Sequence, residues 1–193
     1  ERALEQMLDE ADSPEVTRFL RAVDVRIDGF RVEKAPEGRG QRVFVKHEVD
    51  GKGYELRLSE ESAGTQKLMG LAAFLLAALE RGGTVVVDEL DAKLHPKLLR
   101  YVILLFKDPE VNKHGAQLIF SSQDVSTMRN DVFRRDEIWF AARGEGEASQ
   151  LWSLADIHEA NGNLVSKNAA FDKQYLSGRY GADPYLTRIE EWD

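Results

Sequence analysis

With 193 residues, 42% hydrophobic and 31% charged, the chain is long enough to bury a core, too apolar to stay disordered and too evenly mixed to be fibrous. It has no cysteine, which excludes disulfide frameworks, thiolate metal sites and cysteine nucleophiles, and fits a reducing cytoplasm. Its 26 Lys plus Arg against 34 Asp plus Glu leave a net charge of −8, which disfavours wrapping of nucleic acid by the surface as a whole. The longest apolar stretch, Leu68 to Leu79, is twelve residues. A membrane-spanning helix needs roughly 17 to 25, so no membrane association is expected. The first residues are amphipathic and acidic, without the basic start and apolar run of a signal peptide. The chain opens on Glu rather than Met, so an upstream segment is expected.

In chain order, Leu4, Met7 and Leu8 share a helical face, and a second helix is predicted to open with Ser13 as N-cap and Pro14 in its first turn, turning Val16, Phe19, Leu20 and Val23 inward. Residues 1–23 therefore read as a helical preface. From Asp24 the period changes to two. Val25 to Val32, Arg42 to Val49 and Tyr54 to Leu58 read as three antiparallel strands, with a loop at 38–40 and a turn at Asp50-Gly51. After Leu58 the pattern becomes α/β. A small-residue loop at 59–65 runs into a helix over Gln66 to Arg81 that stops at Gly82-Gly83. Thr84 to Val87 reads as a strand buried on both faces, Pro96 to Phe106 as a helix, and Gln117 to Phe120 as a second buried strand. Two further strands, Glu137 to Ala142 and Ser149 to Ser153, flank a turn at Arg143 to Glu147, and the tail from Ala155 to Tyr180 is mostly helical or irregular.

The first strand of the α/β part ends in two adjacent carboxylates, VVVDE at 85–89. In open α/β folds ligands bind outside the carboxyl ends of the strands, where Asp88 is suited to an Mg²⁺ shell on the β- and γ-phosphates and Glu89 to positioning a water, the Walker B arrangement. A solvated acidic strand end accounts for the same residues equally well. Upstream, ESAGTQKL at 61–68 places a hydroxyl and backbone N–H groups on a helix N-terminus, where the dipole attracts an anion, although an ordinary Ser N-cap gives the same pattern. Downstream come DAKLHP at 91–96 and a strand ending in SSQD at 121–124. An anion-cradling loop and helix, a strand ending in DE, an Asp-bearing loop and a strand with a polar tip follow the order of the second half of an ABC-type ATPase domain.

From Tyr54 to about Leu186 the chain resembles the ABC-type, SMC-like ATPases of overcoming-lysogenization-defect nucleases, abortive-infection proteins and other anti-phage systems. The resemblance rests on ESAGT, VDELDAKLHP, QLIFSSQD, RRDEIWF at 134–140 and YLSGRYGADP at 175–184. It implies an α/β fold, the C-terminal lobe of such a domain over residues 24–193, with a mixed sheet flanked by helices and a small antiparallel sheet ahead of it. It also implies ATP and Mg²⁺ as cofactors and hydrolysis coupled to dimer closure. Ser62, Gly64 and Thr65 then correspond to the signature motif that contacts the γ-phosphate held by a partner subunit, Asp88 to the metal carboxylate, Glu89 to the catalytic base, and Asp91 to the loop residue facing across the dimer. Homodimers or higher homo-oligomers through the nucleotide sites, a nuclease effector and contact with nucleic acid by the intact protein are the partners it implies.

Two departures matter. The family's phosphate-binding loop, GxxxxGK followed by Ser or Thr, is nowhere in the 193 residues, so the main ATP anchor is expected upstream or on another chain. The family's switch histidine corresponds to Gln123, which can hydrogen-bond a phosphate oxygen but cannot carry a proton, so slow hydrolysis is expected. Both departures suit a second reading, a degenerate ATPase lobe used as a scaffold for a nuclease or other effector. A carboxylate-metal nuclease using Asp88 and Glu89 directly is the weakest reading, since such sites draw acids from more elements.

The remaining polar residues read as structural. His47 is expected to be an exposed strand residue and His95 a helix cap, and His114 and His158 lack metal-ligand spacing. Arg129, Arg134 and Arg135, interleaved with Asp131 and Asp136, suggest a salt-bridged face, and Trp139, Phe140, Trp152 and Tyr175 suggest core positions.

Overall fold

The computed structural model describes residues 14–23, 27–34, 41–143 and 148–182. The expected helix around Leu4 to Leu8, the Ser13 cap, the strand start at Val25, the loop at 38–40, most of the turn after Arg143 and the end of the YLSGRYGADP segment lie outside the described residues. The chain forms two compact units, one ending at Gln123 and the other beginning at Asp124.

In the first unit, helix α1 (Pro14–Ala22) buries Val16, Phe19 and Leu20 and packs on helix α2 (Ala63–Arg81). Strands β1 (Gly29–Lys34), β2 (Gln41–Val49) and β3 (Lys52–Arg57) form an antiparallel sheet in that order. The hairpin between β2 and β3 turns on Asp50 (φ 52°) and Gly51 (φ 72°), the paired left-handed conformation that Asp-Gly favours in a two-residue turn.

Helix α2 begins three residues earlier than the sequence suggests. The Ser62 hydroxyl accepts the Thr65 N–H at 3.1 Å and so caps a helix that starts at Ala63. Ahead of it, Leu58–Glu60 form a single 3₁₀ turn in which the Glu60 carboxylate accepts the Arg57 N–H at 2.8 Å. The other end of α2 stops where expected. Gly82 adopts φ 75°, and its N–H returns to the Ala78 carbonyl at 2.8 Å. A Cβ at Gly82 would also lie 2.3 Å from the His114 carbonyl oxygen, so both conformation and space require glycine there.

Strand β4 (Thr84–Val87) pairs in parallel with β5 (Gln117–Phe120), with Val87 opposite Phe120. Helix α3 (Pro96–Lys107) connects them and buries Leu99, Val102 and Ile103. Its cap is His95, whose Nδ1 accepts the Lys97 N–H at 3.1 Å, followed by Pro96 where a missing N–H costs nothing. The expectation of strands buried on both faces is corrected. Val85, Val87, Leu118 and Phe120 are buried or half-buried, whereas Val86 is 73% and Ile119 56% exposed. Continuous apolar strands of this kind belong to sheets covered on both sides, and within this unit one side lies open.

In the second unit, strands β6 (Trp139–Arg143) and β7 (Ser149–Ser153) form an antiparallel hairpin, and helix α4 (Phe171–Leu176) follows. Strand β6 starts two residues later than expected. Arg135–Glu137 form a 3₁₀ turn because the Glu137 carboxylate accepts the Arg134 N–H at 2.7 Å. The core comprises Ile138, Phe140, Leu154, Val165, Phe171 and Tyr180, with Trp152 and Tyr175 packed against it. Phe140 stacks on Tyr175 with ring centroids 5.7 Å apart. Trp139 is not a core residue: the strand alternation that buries Phe140 leaves its neighbour 58% exposed. The arginine cluster is a salt-bridged face, with Arg129 on Asp131 at 3.0 Å and Arg134 on Asp136 at 2.8 Å and Glu137 at 3.0 Å. Among the described residues no helix is long and apolar enough to cross a membrane.

Candidate functional site

The site lies at the carboxyl ends of β4 and β5. Because the pair is parallel and in register, Asp88 and Glu89 leave β4 at the level where Ser121 leaves β5. The ladder continues one step, with the Ser121 N–H donating to the Val87 carbonyl at 3.1 Å and the Leu90 N–H to the Ser121 carbonyl at 3.0 Å. The Ser121 hydroxyl donates to Asp88 Oδ1 at 2.5 Å and accepts the Glu89 N–H at 2.7 Å. One hydroxyl thus uses its proton and a lone pair to fix both halves of the Asp-Glu pair.

Glu89 has φ 49°, a left-handed conformation that costs a residue with a side chain roughly 1–2 kcal/mol. It breaks the strand's two-residue alternation at that point. Its carbonyl accepts the Ala92 N–H at 3.0 Å and the ammonium of Lys67, which reaches over from α2. The chain then turns again, with the Leu94 N–H on the Asp91 carbonyl at 3.0 Å and Lys93 at φ 67°. A shallow recess of about 410 Å³ is lined by Ala63, Gln66 and Lys67 from α2 and by Asp88, Glu89, Ala92 and Lys93. Two carboxylates and two ammonium groups share it. Asp88 and Glu89 remain open to solvent.

The other residues singled out from the sequence fall around this recess. Ser62 is exposed at the α2 N-terminus, whereas Thr65 is buried, and the two hydroxyls share a hydrogen bond at 2.9 Å. Gly64 is held by its own chain, since a Cβ there would lie 2.8 Å from the Lys93 carbonyl oxygen. Asp91 Oδ2 accepts the Gln123 N–H at 3.3 Å, while its Oδ1 is buried without a hydrogen-bond partner among the described residues. Buried polar atoms are normally paired, which makes Asp91 Oδ1 an exception among the described residues. The structure therefore joins Asp88 to Glu89 through Ser121, and Asp91 to Gln123 through a backbone bond. Ser62, Thr65, Asp91 and Gln123 do not line the recess itself.

Ser121 and Lys67 are absent from the residues marked by sequence. Ser121 was within reach of it, because two parallel strands of equal length ending together place the first residue after β5 beside the first after β4. Lys67 had no such signal, since it acts through a backbone atom. His47 is also corrected. Rather than an exposed strand residue it is half-buried, with Nε2 2.6 Å from Glu61 Oε1, so that β2 is tied to the residue preceding Ser62.

The donor set suits magnesium in one particular way. Among the described residues no group of three or more His, Cys, Asp or Glu side chains is arranged to hold a metal ion. Mg²⁺ typically binds through one or two carboxylates plus substrate phosphates and water, which is what an exposed Asp88 beside a hydroxyl offers.

The parallel strand pair thus presents adjacent carboxylates beside the N-terminus of a long helix in an α/β unit. The chain belongs to the family described as "AAA domain, putative AbiEii toxin, Type IV TA system", whose model matches residues 2–129. Two solved structures are similar to it. One, described as "Structural biochemistry of ATP-driven dimerization and DNA stimulated activation of SMC ATPases", is 17% identical, with 72% of this chain and 88% of that chain covered and a TM-score of 0.44. The other, "Crystal structure of the SmcHead bound to the C-winged helix domain of ScpA", is 19% identical, with 75% of this chain and 42% of that chain covered and a TM-score of 0.49. At these values neither likeness bears on activity. No curated protein matches the chain.

Proposed function

We propose that this chain supplies the carboxylate side of an Mg-ATP hydrolysis site of the ABC type, completed in the intact protein by a phosphate-binding loop from outside these 193 residues. The observation that carries the reading is the Ser121 hydroxyl holding Asp88 at 2.5 Å and the Glu89 N–H at 2.7 Å, the two acidic residues lining a recess with Lys67. A merely solvated acidic strand end has no need of that construction. Asp88, oriented by Ser121, would hold Mg²⁺, which when bound would offset the negative charge of the phosphates. Glu89 accepts the proton of the attacking water. Asp91, with its unpaired buried oxygen, is suited to receive a donor from outside the unit.

The open face of β4 and β5 supports the same reading. Val86 and Ile119 stand in water where a parallel sheet is ordinarily covered, which suits an N-terminal α/β layer carrying the phosphate loop. Closure of two protomers on ATP, with Ser62 and Gly64 facing the partner's γ-phosphate, is the coupling we infer. A cytoplasmic anti-phage or DNA-associated signalling role, with a nuclease effector or nucleic acid as partner, is the role that the motif resemblance implies. The scaffold reading has its own support in Gln123, which cannot carry the proton of a switch histidine.

Glu89→Gln in the intact protein tests the assignment. ATP binding should persist while turnover falls by about 10²- to 10⁴-fold, the usual range for loss of a general base. Turnover equal to the parent's would leave the scaffold reading in place. Ser62→Arg separately tests the dimer, because it should block ATP-driven closure in sedimentation while open protomers still bind nucleotide.

A further inference from the structure

Glu89 is held in its left-handed conformation by three hydrogen bonds to its backbone, and they come from three places. Its N–H goes to the Ser121 hydroxyl at the tip of β5, and its carbonyl takes the Ala92 N–H of its own turn together with the Lys67 ammonium from α2. The first two bonds are local to the strand ends. The third reaches a helix capped by Ser62 and carrying Gly64 in its first turn, five and three residues before Lys67. A lysine that simply neutralised the recess would pair with a carboxylate. Lys67 donates instead to the backbone of the residue whose side chain would take the proton.

We propose that Lys67 is a positioning residue for Glu89, fixing the turn that presents its carboxylate and tying that turn to the N-terminal segment of α2. The inference rests on the hydrolytic reading of the site and deepens it. Without Lys67 the Glu89 carbonyl keeps the Ala92 N–H, so no backbone group is orphaned and the fold is retained. What is lost is the link between the α2 N-terminus and the base. A contact made at the Ser62 loop then no longer reaches Glu89, and the reacting geometry loosens while nucleotide affinity, set by Asp88 and the phosphate loop, is kept.

The test uses the full-length protein and steady-state ATP hydrolysis. Lys67→Met should lower kcat by about tenfold or more with KM within about threefold of the parent's, because positioning acts on the transition state rather than on binding. Lys67→Arg should restore most of the rate. In a Glu89→Gln background Lys67→Met should have no further effect, as expected of a residue acting through Glu89. If Lys67→Met does not fold, Lys67→Gln replaces it, and a rate about fivefold or more below that of Lys67→Arg is the expected result. Parental kcat in the Met or Gln variant, or an additive loss on top of Glu89→Gln, overturns the inference. If the parent's hydrolysis does not depend on Glu89, it is the hydrolytic reading that falls. If that dependence holds while Lys67 proves indifferent, only the positioning role falls.

Discussion

The core of the second unit and the tip of β4 in the first use side chains in opposite ways. Phe140, Leu154, Phe171 and Tyr180 are closed off from solvent and satisfy one another by contact, and where a polar atom enters, as in the Tyr180 hydroxyl donating to Gln174 Oε1 at 2.7 Å, a neighbour takes it up. Asp88, Glu89, Ser121 and Gln123 stand in water, the backbone of Glu89 is left-handed, and nearby a side-chain oxygen of Asp91 is buried without a partner among the described residues. Packing explains the first region completely. The second is costly to build and contributes little to a core, which is the pattern of a site kept for binding or chemistry.

The comparison can be broken first at its packed end. Phe140→Ala removes a ring packed on Tyr175 and Tyr180 and should cost about 3–5 kcal/mol in denaturant unfolding, as large-to-small core changes do. A loss below about 1 kcal/mol would mean that the aromatic cluster is not the second unit's core.

Next is the open face of β4 and β5. If an α/β layer covers it in the intact protein, Val86→Asp there should cost more than about 2 kcal/mol through burial of an unpaired charge. A face that stays in water should tolerate the change within about 0.5 kcal/mol, and equilibrium unfolding separates the two.

Ser121→Ala sharpens the other end. It removes a donor to Asp88 and an acceptor from Glu89, and it should cost about 0.5–1.5 kcal/mol while weakening Mg²⁺-dependent nucleotide binding. Unchanged nucleotide affinity by calorimetry would show that Ser121 serves the strand end alone.

The smallest effect is one of pH. Burial pushes the Tyr180 hydroxyl up to about 12, so the folded chain favours the neutral phenol. The stability it contributes is fully present below the unfolded-state value near 10 and is lost as pH rises from there through about 12. Tyr180→Phe should flatten the decline of the urea midpoint over that range. An unchanged slope would mean that the phenol does not govern alkaline unfolding.

Much of this contrast can be read from sequence, though unevenly. The β-branched run at 84–87, the apolar run at 118–120, the His95-Pro96 helix start, the Asp50-Gly51 turn and the Gly82 stop each follow from local propensity, and each has its place in the structure. The pattern VVVDE marked the tip of β4 because apolar strand and acidic end are contiguous in the chain. Ser121 and Lys67 lie 32 and 22 residues from Glu89, and the motifs that contain them, QLIFSSQD and ESAGTQKL, do not show that either meets the Glu89 backbone. Their roles exist only once β4 and β5 pair and α2 packs beside them. The exposure of Val86 and Ile119 has a related reason: an apolar run shows that a strand can be buried, not that both of its faces are covered.

The claim that Asp88 carries the metal is tested most directly by nucleotide affinity of the intact protein with Mg²⁺ and with EDTA. The parent should bind ATP more tightly in Mg²⁺, and Asp88→Asn should bind it weakly and equally in both. An Asn variant whose affinity in Mg²⁺ matches the parent's would contradict the account.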